Sequence, residues 1–113
     1  MLIYKIADAE SWQSALARGH YEGSADDIRD GFIHFSTAAQ VPDTLAKHFA
    51  GRAGLIIAAV DSNQFGPTLK WEPSRGGALF PHLYVPVPVA AVAWFKPIPH
   101  PLDGVHVLPP EVI

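Results

Sequence analysis

Apolar residues in the first third of the chain follow a strand pattern at first and then the spacing of three to four residues that is typical of a helix. Residues 2–6 are largely apolar and predict a first strand. Asp8 then offers an N-cap to a helix whose apolar residues recur every three or four positions, and Gly19 ends that helix as a left-handed cap. The polar segment 20–30 shows neither period, so it is predicted to be a loop.

The pattern continues with a short strand that places Phe32 and His34 on one face. Pro42 suits the first position of a second helix, which ends near residue 49. Residues 55–60 form a continuous apolar run, which is typical of a central strand. The remaining strand candidates are residues 69–72, 83–85 and 89–95.

The order of these elements predicts an α+β fold in which two helices pack on a mostly antiparallel sheet. Between residues 97 and 110, five of fourteen residues are proline. Proline disfavours helix, so we expect an extended Pro-rich C-terminal tail that wraps over the body. A chain of 113 residues fits one domain, residues 1–113.

Composition excludes several classes of function. The formal net charge is −3 and no run of Lys or Arg occurs, which argues against an extended nucleic-acid surface. The absence of cysteine excludes disulfides, zinc–thiolate sites and thiol catalysis. The six histidines show no close metal-binding spacing, so no metal site is predicted. Without a visible secretory signal or a membrane-spanning apolar run, we expect a cytoplasmic protein.

Residues 31–37 carry the first group of candidate site residues, His34, Ser36 and Thr37. They lie where a strand leads into a helix, and helix N-termini favour anions. The hypothesis is that Ser36 and Thr37 bind a phosphate or carboxylate while His34 donates a proton. The alternative is that a hydroxyl caps the next segment and His34 bonds to a neighbouring strand.

Residues 71–84 carry the second group. Arg75 beside a flexible Gly-Gly pair can fork onto a carboxylate or phosphate, and Glu72 is a candidate general base or ribose-hydroxyl acceptor. The alternative is a surface Glu72–Arg75 ion pair worth under about 1 kcal/mol. His82 and Tyr84 share one face of an extended chain, and both can donate and accept hydrogen bonds. We predict that both groups line one polar pocket.

Several of these segments resemble the bacterial family called domain of unknown function 952. The matching segments are residues 2–6, Trp12, residues 31–37 with Gln40, residues 69–72 and residues 80–84. That family is similar in fold to the ADP-ribosyltransferase superfamily, which includes RNA 2′-phosphotransferases. The resemblance implies that Lys5, His34 and Ser36 occupy the superfamily's early site positions, and that NAD is a candidate cofactor by analogy of fold.

The residues and the resemblance together predict a pocket for a small anionic, nucleotide-like ligand such as NAD or ADP-ribose. In this hypothesis Lys5 and Arg75 hold phosphates, and Phe35 or Tyr84 stacks on a base. Glu72 or His82 moves the proton of a transferase or hydrolase. The alternatives are a non-catalytic metabolite-binding module and a protein-interaction domain that uses the Pro-rich tail. Whether the protein is an enzyme and what its oligomeric state is both stay open.

Overall fold

The strands of the protein pair in antiparallel fashion throughout the part of the chain that the structure describes. The structure is a computed structural model that describes residues 1–112, with Arg75 described by its backbone alone. The strands are β1 (Leu2–Asp8), β2 (His20–Tyr21), β3 (Ile33–His34), β4 (Leu55–Asp61), β5 (Leu69–Pro73), β6 (Leu79–Leu83), β7 (Val87–Pro88) and β8 (Val92–Pro97). The α-helices are α1 (Ala9–Arg18), α2 (Ala25–Asp30) and α3 (Val41–His48).

Over the described residues the strands form three sheets, with strand orders β1-β4-β8, β3-β6-β5 and β2-β7. Reciprocal backbone hydrogen bonds of 2.8 and 2.9 Å between Tyr4 and Ser36 join the first sheet to the second. This arrangement confirms the predicted α+β class and the antiparallel pairing.

The central strand β4 is buried on both faces, which explains its unbroken apolar run. One face contributes Ile56, Ala58 and Val60 to a first core cluster. The other face contributes Leu55, Ile57 and Ala59 to a second core cluster. Strand β1 divides in the same way, and Lys5 interrupts its apolar residues in the middle of the strand. The predicted central strand is therefore confirmed.

Helix α1 begins and ends where the sequence predicts. The carboxylate of Asp8 accepts a hydrogen bond from the backbone N–H of Ser11 (3.2 Å), and Gly19 closes the helix with φ of 95°. Trp12 lies on the buried face, with its ring 5.4 Å from the ring of Tyr21 and 5.5 Å from that of Phe95. Within residues 1–112, no helix combines the length and the apolar composition that a membrane span requires.

The predicted loop over residues 20–30 is wrong, because this segment forms β2 and α2. Helix α2 begins with a capping box, in which Ser24 Oγ accepts from Asp27 N (3.2 Å) and Asp27 Oδ2 accepts from Ser24 N (2.9 Å). The helix has six residues and no apolar face, since Ile28 is 67% exposed. Hydrophobic periodicity therefore gives no sign of it. Residues 1–112 contain three α-helices where two were predicted.

Helix α3 has Pro42 in its first turn, as predicted, and a hydrogen-bonded turn precedes it. Gln40 is the N-cap residue, and Thr37 exchanges hydrogen bonds with Gln40 (3.0 and 3.3 Å) in a turn ahead of the helix. Ser36 and Thr37 therefore lie between β3 and α3, as predicted, in a turn that precedes the first residue of the helix. The predicted strand over residues 83–85 is displaced, since β6 ends at Leu83.

The segment after β8 covers part of the second core cluster. Ile98 is buried, and Leu108 and Val112 pack against the same cluster. The Nε2–H of His106 donates a hydrogen bond to the carbonyl oxygen of Arg52 (2.7 Å), at the end of the turn that follows α3. These contacts bring the segment close to the second cluster and to α3.

Truncating the buried indole should destabilise the fold. Trp12 is 1% exposed, so Trp12→Ala leaves a large cavity and should lower the free energy of unfolding by about 3–5 kcal/mol. Trp71→Ala is the matched control, because Trp71 is 39% exposed and its removal opens no closed cavity. Urea denaturation of both variants measures the difference, and equal losses would contradict this packing.

Candidate functional site

The carboxylate of Asp27 is the centre of the polar site. Oδ2 accepts from Lys5 Nζ (2.7 Å) and from the backbone N–H of Ser24 (2.9 Å). Oδ1 accepts from the backbone N–H of His34 (3.1 Å) and from its ring Nδ1 (2.6 Å). Each carboxylate oxygen thus accepts two hydrogen bonds, and the Asp27 side chain is only 2% exposed. One buried carboxylate therefore joins α2, β1 and β3.

The backbone of Asp27 is used as fully as its side chain. Its carbonyl oxygen accepts from the N–H groups of Gly31 (2.9 Å) and Phe32 (3.2 Å), which ends α2 and begins the turn to β3. Gly23 packs so closely against Asp27 that a Cβ at residue 23 would lie 2.7 Å from the Asp27 Cβ. Gly23 also has φ of 110°, so glycine is required there for two reasons.

The ion pair between Asp27 and Lys5 is buried, and burial acts on both pKa values. For Asp27 burial opposes ionisation, but the hydrogen bond from His34 and the charge of Lys5 outweigh it and hold the pKa well below its usual range. Burial lowers the pKa of Lys5, although the adjacent Asp27 opposes this shift. Asp27 is therefore ionised near neutral pH, and Lys5 is its nearest counter-charge.

The ring of His34 lies between two carboxylates. Nδ1 faces Asp27 at 2.6 Å and Nε2 faces Asp30 at 3.1 Å. Ionised carboxylates only accept hydrogen bonds, so a ring nitrogen bonded to either of them must be the donor. Both ring nitrogens of His34 are therefore engaged, which fixes the ring in the wall of the site.

His82 makes a different set of contacts. Its Nδ1 donates to Glu72 Oε1 (2.9 Å), and the hydroxyl of Tyr84 donates to the same oxygen (2.7 Å). The Tyr84 and His82 hydrogen bonds lower the pKa of Glu72, and the carboxylate in turn raises the pKa of Tyr84. Among the described side chains, Nε2 of His82 has no hydrogen-bond partner, and it is not sealed from solvent.

Aromatic contacts hold the two histidines together. The Phe32 ring stacks on His82 with centroids 4.1 Å apart and an angle of 22° between the planes. The same ring lies 4.6 Å from the His34 ring and 5.4 Å from the Tyr84 ring, and the two imidazole centroids are 5.5 Å apart. The strand register also brings the two histidines together, because His34 pairs with His82 across β3 and β6.

These groups border a cleft of about 220 Å³. Lys5, Asp27, His34 and His82 line it together with the hydroxyl pair Ser36–Thr44, whose oxygens are 2.9 Å apart. Aromatic and acidic side chains complete the wall, among them Tyr4, Phe35, Phe49, Phe80, Asp26 and Asp30. A second cleft of about 230 Å³ is lined by Phe32 and Tyr84, and Asp27 borders both.

Comparison with known proteins identifies the family of this chain. Residues 6–95 match the family described as protein of unknown function (DUF952). The chain belongs to the DUF952 family. No curated protein matches it.

Solved structures of another protein share the fold of this DUF952 chain. The X-ray crystal structure of protein CC0527 from Caulobacter crescentus is 46% identical, with a TM-score of 0.94, and the match covers 99% of this chain and 98% of that chain. The solution NMR structure of CC0527 is 49% identical with a TM-score of 0.83, covering 92% of this chain and 90% of that chain. These similarities support the α+β fold over nearly the whole length.

The structure brings most of the predicted site residues of this DUF952 chain together. Lys5, His34, Ser36 and His82 line the first cleft, while Glu72 lies behind His82 and Tyr84 lines the second cleft. Thr37 is half-buried and its hydroxyl accepts from Gln40 N, in the turn before α3. The predicted role of Arg75 concerns a side chain that lies outside the described residues. The catalytic and ligand-binding roles stay predictions.

Asp27 and Asp30 are the site residues that the sequence reasoning missed. Ser24 and Asp27 have capping-box spacing, but Asp stands where Glu or Gln is usual, and the three neighbouring aspartates resemble a solvated loop. Among the described residues, no group of three or more His, Asp or Glu side chains could hold a metal ion. The carboxylates, imidazoles and hydroxyls of the site are groups that can form hydrogen bonds and transfer protons.

The Asp27–Lys5 pair should show strong energetic coupling. Asp27→Asn leaves Lys5 buried without a counter-charge and should lower the free energy of unfolding at pH 7 by about 3–5 kcal/mol. The double variant Asp27→Asn with Lys5→Met removes both charges and should lose less than the single variants combined. Urea denaturation of the four proteins gives the coupling, and simple additivity would contradict a direct pair.

The same pair predicts an acid-sensitive fold. Because the pKa of Asp27 is lower in the folded than in the unfolded chain, its contribution to stability is present above the unfolded value of about 3.9 and is lost as pH falls below it. Asp27→Asn should therefore flatten the acid side of the stability curve. If the free energy of unfolding of that variant falls with decreasing pH as steeply as that of the wild type, the acid sensitivity arises from other groups.

The close contact at Gly23 gives a further prediction with a matched control. Gly19 and Gly23 have similar φ values of 95° and 110°, but only a Cβ at residue 23 meets Asp27, while one at residue 19 has nothing within 4 Å. Gly23→Ala should therefore destabilise the protein by at least about 1 kcal/mol more than Gly19→Ala. Thermal or urea unfolding checks this, and similar losses would argue against the tight packing.

Proposed function

We propose that the first cleft binds a small anionic, nucleotide-like molecule and that His82 acts on it as an acid–base group. The observation that carries this proposal is the Glu72–His82 pair. It engages Nδ1 of His82, a residue that lines the cleft, and leaves Nε2 without a hydrogen-bond partner among the described residues. A histidine oriented through one nitrogen and open at the other is the usual arrangement of a general base.

The proton positions follow from the chemistry of the pair. Glu72 is ionised and only accepts, so the neutral His82 carries its proton on Nδ1 and has its lone pair on Nε2. That lone pair would take a proton from a water or a ligand hydroxyl. A protonated His82 would instead donate to an anionic oxygen. The same residue thus serves both binding of an anion and proton transfer.

The other predicted residues take different roles in this proposal. Lys5 and His34 are bound to Asp27, so they hold the wall in place instead of binding a phosphate directly. The hydroxyls of Ser36 and Thr44 offer hydrogen bonds along that wall. Arg75 keeps its predicted role as an anion ligand on the basis of the sequence alone.

The size of the cleft limits the ligand. Pockets for drug-sized ligands usually measure about 300–1,000 Å³. A cleft of about 220 Å³ would enclose one part of a nucleotide, such as a ribose phosphate, and a whole NAD or ADP-ribose molecule would extend beyond it. NAD enters the proposal through the resemblance to the ADP-ribosyltransferase superfamily, and a transferase or hydrolase acting at a ribose in the cytoplasm remains the corresponding reaction class.

A non-catalytic metabolite-binding module is the second candidate. The fixed position of His34 between two carboxylates favours it, because both ring nitrogens of this histidine are engaged and neither is left for proton transfer. Analysis of the metabolite that is bound to natively purified protein distinguishes the binding module from the enzyme. An unchanged metabolite after long incubation supports the binding module, and a bound product supports the enzyme.

Calorimetric titration with AMP and ADP-ribose tests the proposed function. Wild-type protein should give saturable heat, and His82→Gln should bind about tenfold more weakly because it loses a hydrogen bond to a charged ligand. His100→Gln is the control, since His100 is exposed on the C-terminal segment. No heat from the wild type at millimolar ligand would remove the proposed ligand class, and equal binding by both variants would remove His82 from the site.

A further inference from the structure

We propose that Tyr84 is a positioning residue, which fixes the Glu72 carboxylate and thereby sets which nitrogen of His82 carries the proton. This inference rests on the proposed acid–base function of His82. It also assigns Tyr84 a role other than stacking on a ligand base. The reasons lie in the contacts of the Glu72 carboxylate, in the way the Tyr84 ring is held, and in the contacts of the imidazole.

The first reason is that Tyr84 and His82 donate to the same atom. Tyr84 Oη lies 2.7 Å from Glu72 Oε1, and His82 Nδ1 lies 2.9 Å from it. The Glu72 side chain is 36% exposed, whereas that of His82 is 6% exposed. An exposed glutamate held by one hydrogen bond can exchange that bond for water. A second donor on the same oxygen keeps the carboxylate on His82.

The second reason is that Tyr84 is itself fixed from several sides. Its backbone N–H donates to the carbonyl oxygen of Thr68 (2.9 Å). The Nζ of Lys70 lies 5.0 Å from the centre of the Tyr84 ring, and the Phe32 ring lies 5.4 Å away on centroids. A ring held in this way loses little further freedom when its hydroxyl binds Glu72, so the hydroxyl is a pre-organised donor.

The third reason is that His82 lines the first cleft and contacts Glu72, so the position of the Glu72 carboxylate affects a residue of the cleft. Phe32 stacks on the imidazole at 4.1 Å and restricts tilting of its plane, but stacking does not determine which nitrogen is protonated. That choice depends on Glu72, because a carboxylate opposite Nδ1 requires a proton there. Tyr84 therefore controls, from the second cleft, the lone pair that His82 presents to the first.

The test reads the tautomer of His82 directly. Tyr84→Phe removes one hydroxyl and keeps the ring, and ¹⁵N NMR of the imidazole at about pH 8.5, where an ordinary histidine is neutral, reports the two nitrogens separately. In the wild type the Nδ1–H form should exceed the Nε2–H form by about tenfold or more. In Tyr84→Phe this ratio should fall at least about threefold, towards the value of a Glu72→Ala variant that has no carboxylate at this position.

Trp71→Phe is the matched control, because residue 71 is next to Glu72 on β5 but points to the opposite face. This variant should keep the wild-type ratio, and melting temperatures should show that all variants are folded. A wild-type ratio in Tyr84→Phe, or a predominant Nε2–H form in the wild type, would overturn the inference. The calorimetric titration is a separate test, so absent ligand binding with the expected tautomers would reject the proposed function and leave the positioning role standing.

Discussion

The buried carboxylate of Asp27 is the interaction on which the rest of the site depends. A buried charge is unfavourable unless every lone pair finds a donor, and Asp27 meets that condition with four hydrogen bonds from three other residues. Those donors belong to β1, to the N-cap of α2 and to β3. The hydrogen bonds to Asp27 therefore hold these three parts of the cleft wall together.

This constraint gives the two histidines of the site different chemistry. Asp27 and Asp30 occupy both nitrogens of His34, while Glu72 occupies one nitrogen of His82. Both rings contact Phe32, but the His34 side chain is 37% exposed and that of His82 is 6% exposed, so the two histidines differ in burial as well as in their carboxylate partners. Both line the cleft, and His82 is the one with a ring nitrogen left for the proposed proton transfer.

Sequence patterns predicted the parts of the structure that depend on local periodicity. The apolar run 55–60 became the central strand because both of its faces are buried, and α1 has the predicted caps. Helix α2 was missed because a polar capping box forms it without an apolar face. Lys5 and His34 were recognised as site residues, but their shared partner Asp27 was not, since the strand–helix packing that brings Lys5 and Asp27 together spans 22 positions and leaves no mark in local spacing.

The central claim is that Asp27 is held as an anion by its partners, and ¹³C NMR of its carboxyl carbon during an acid titration measures this most directly. If Lys5, His34 and Ser24 hold the carboxylate as described, its signal should stay that of the ionised form well below the ordinary pKa of about 3.9, for as long as the chain is folded. Titration at or above that ordinary value in the folded protein would contradict the account.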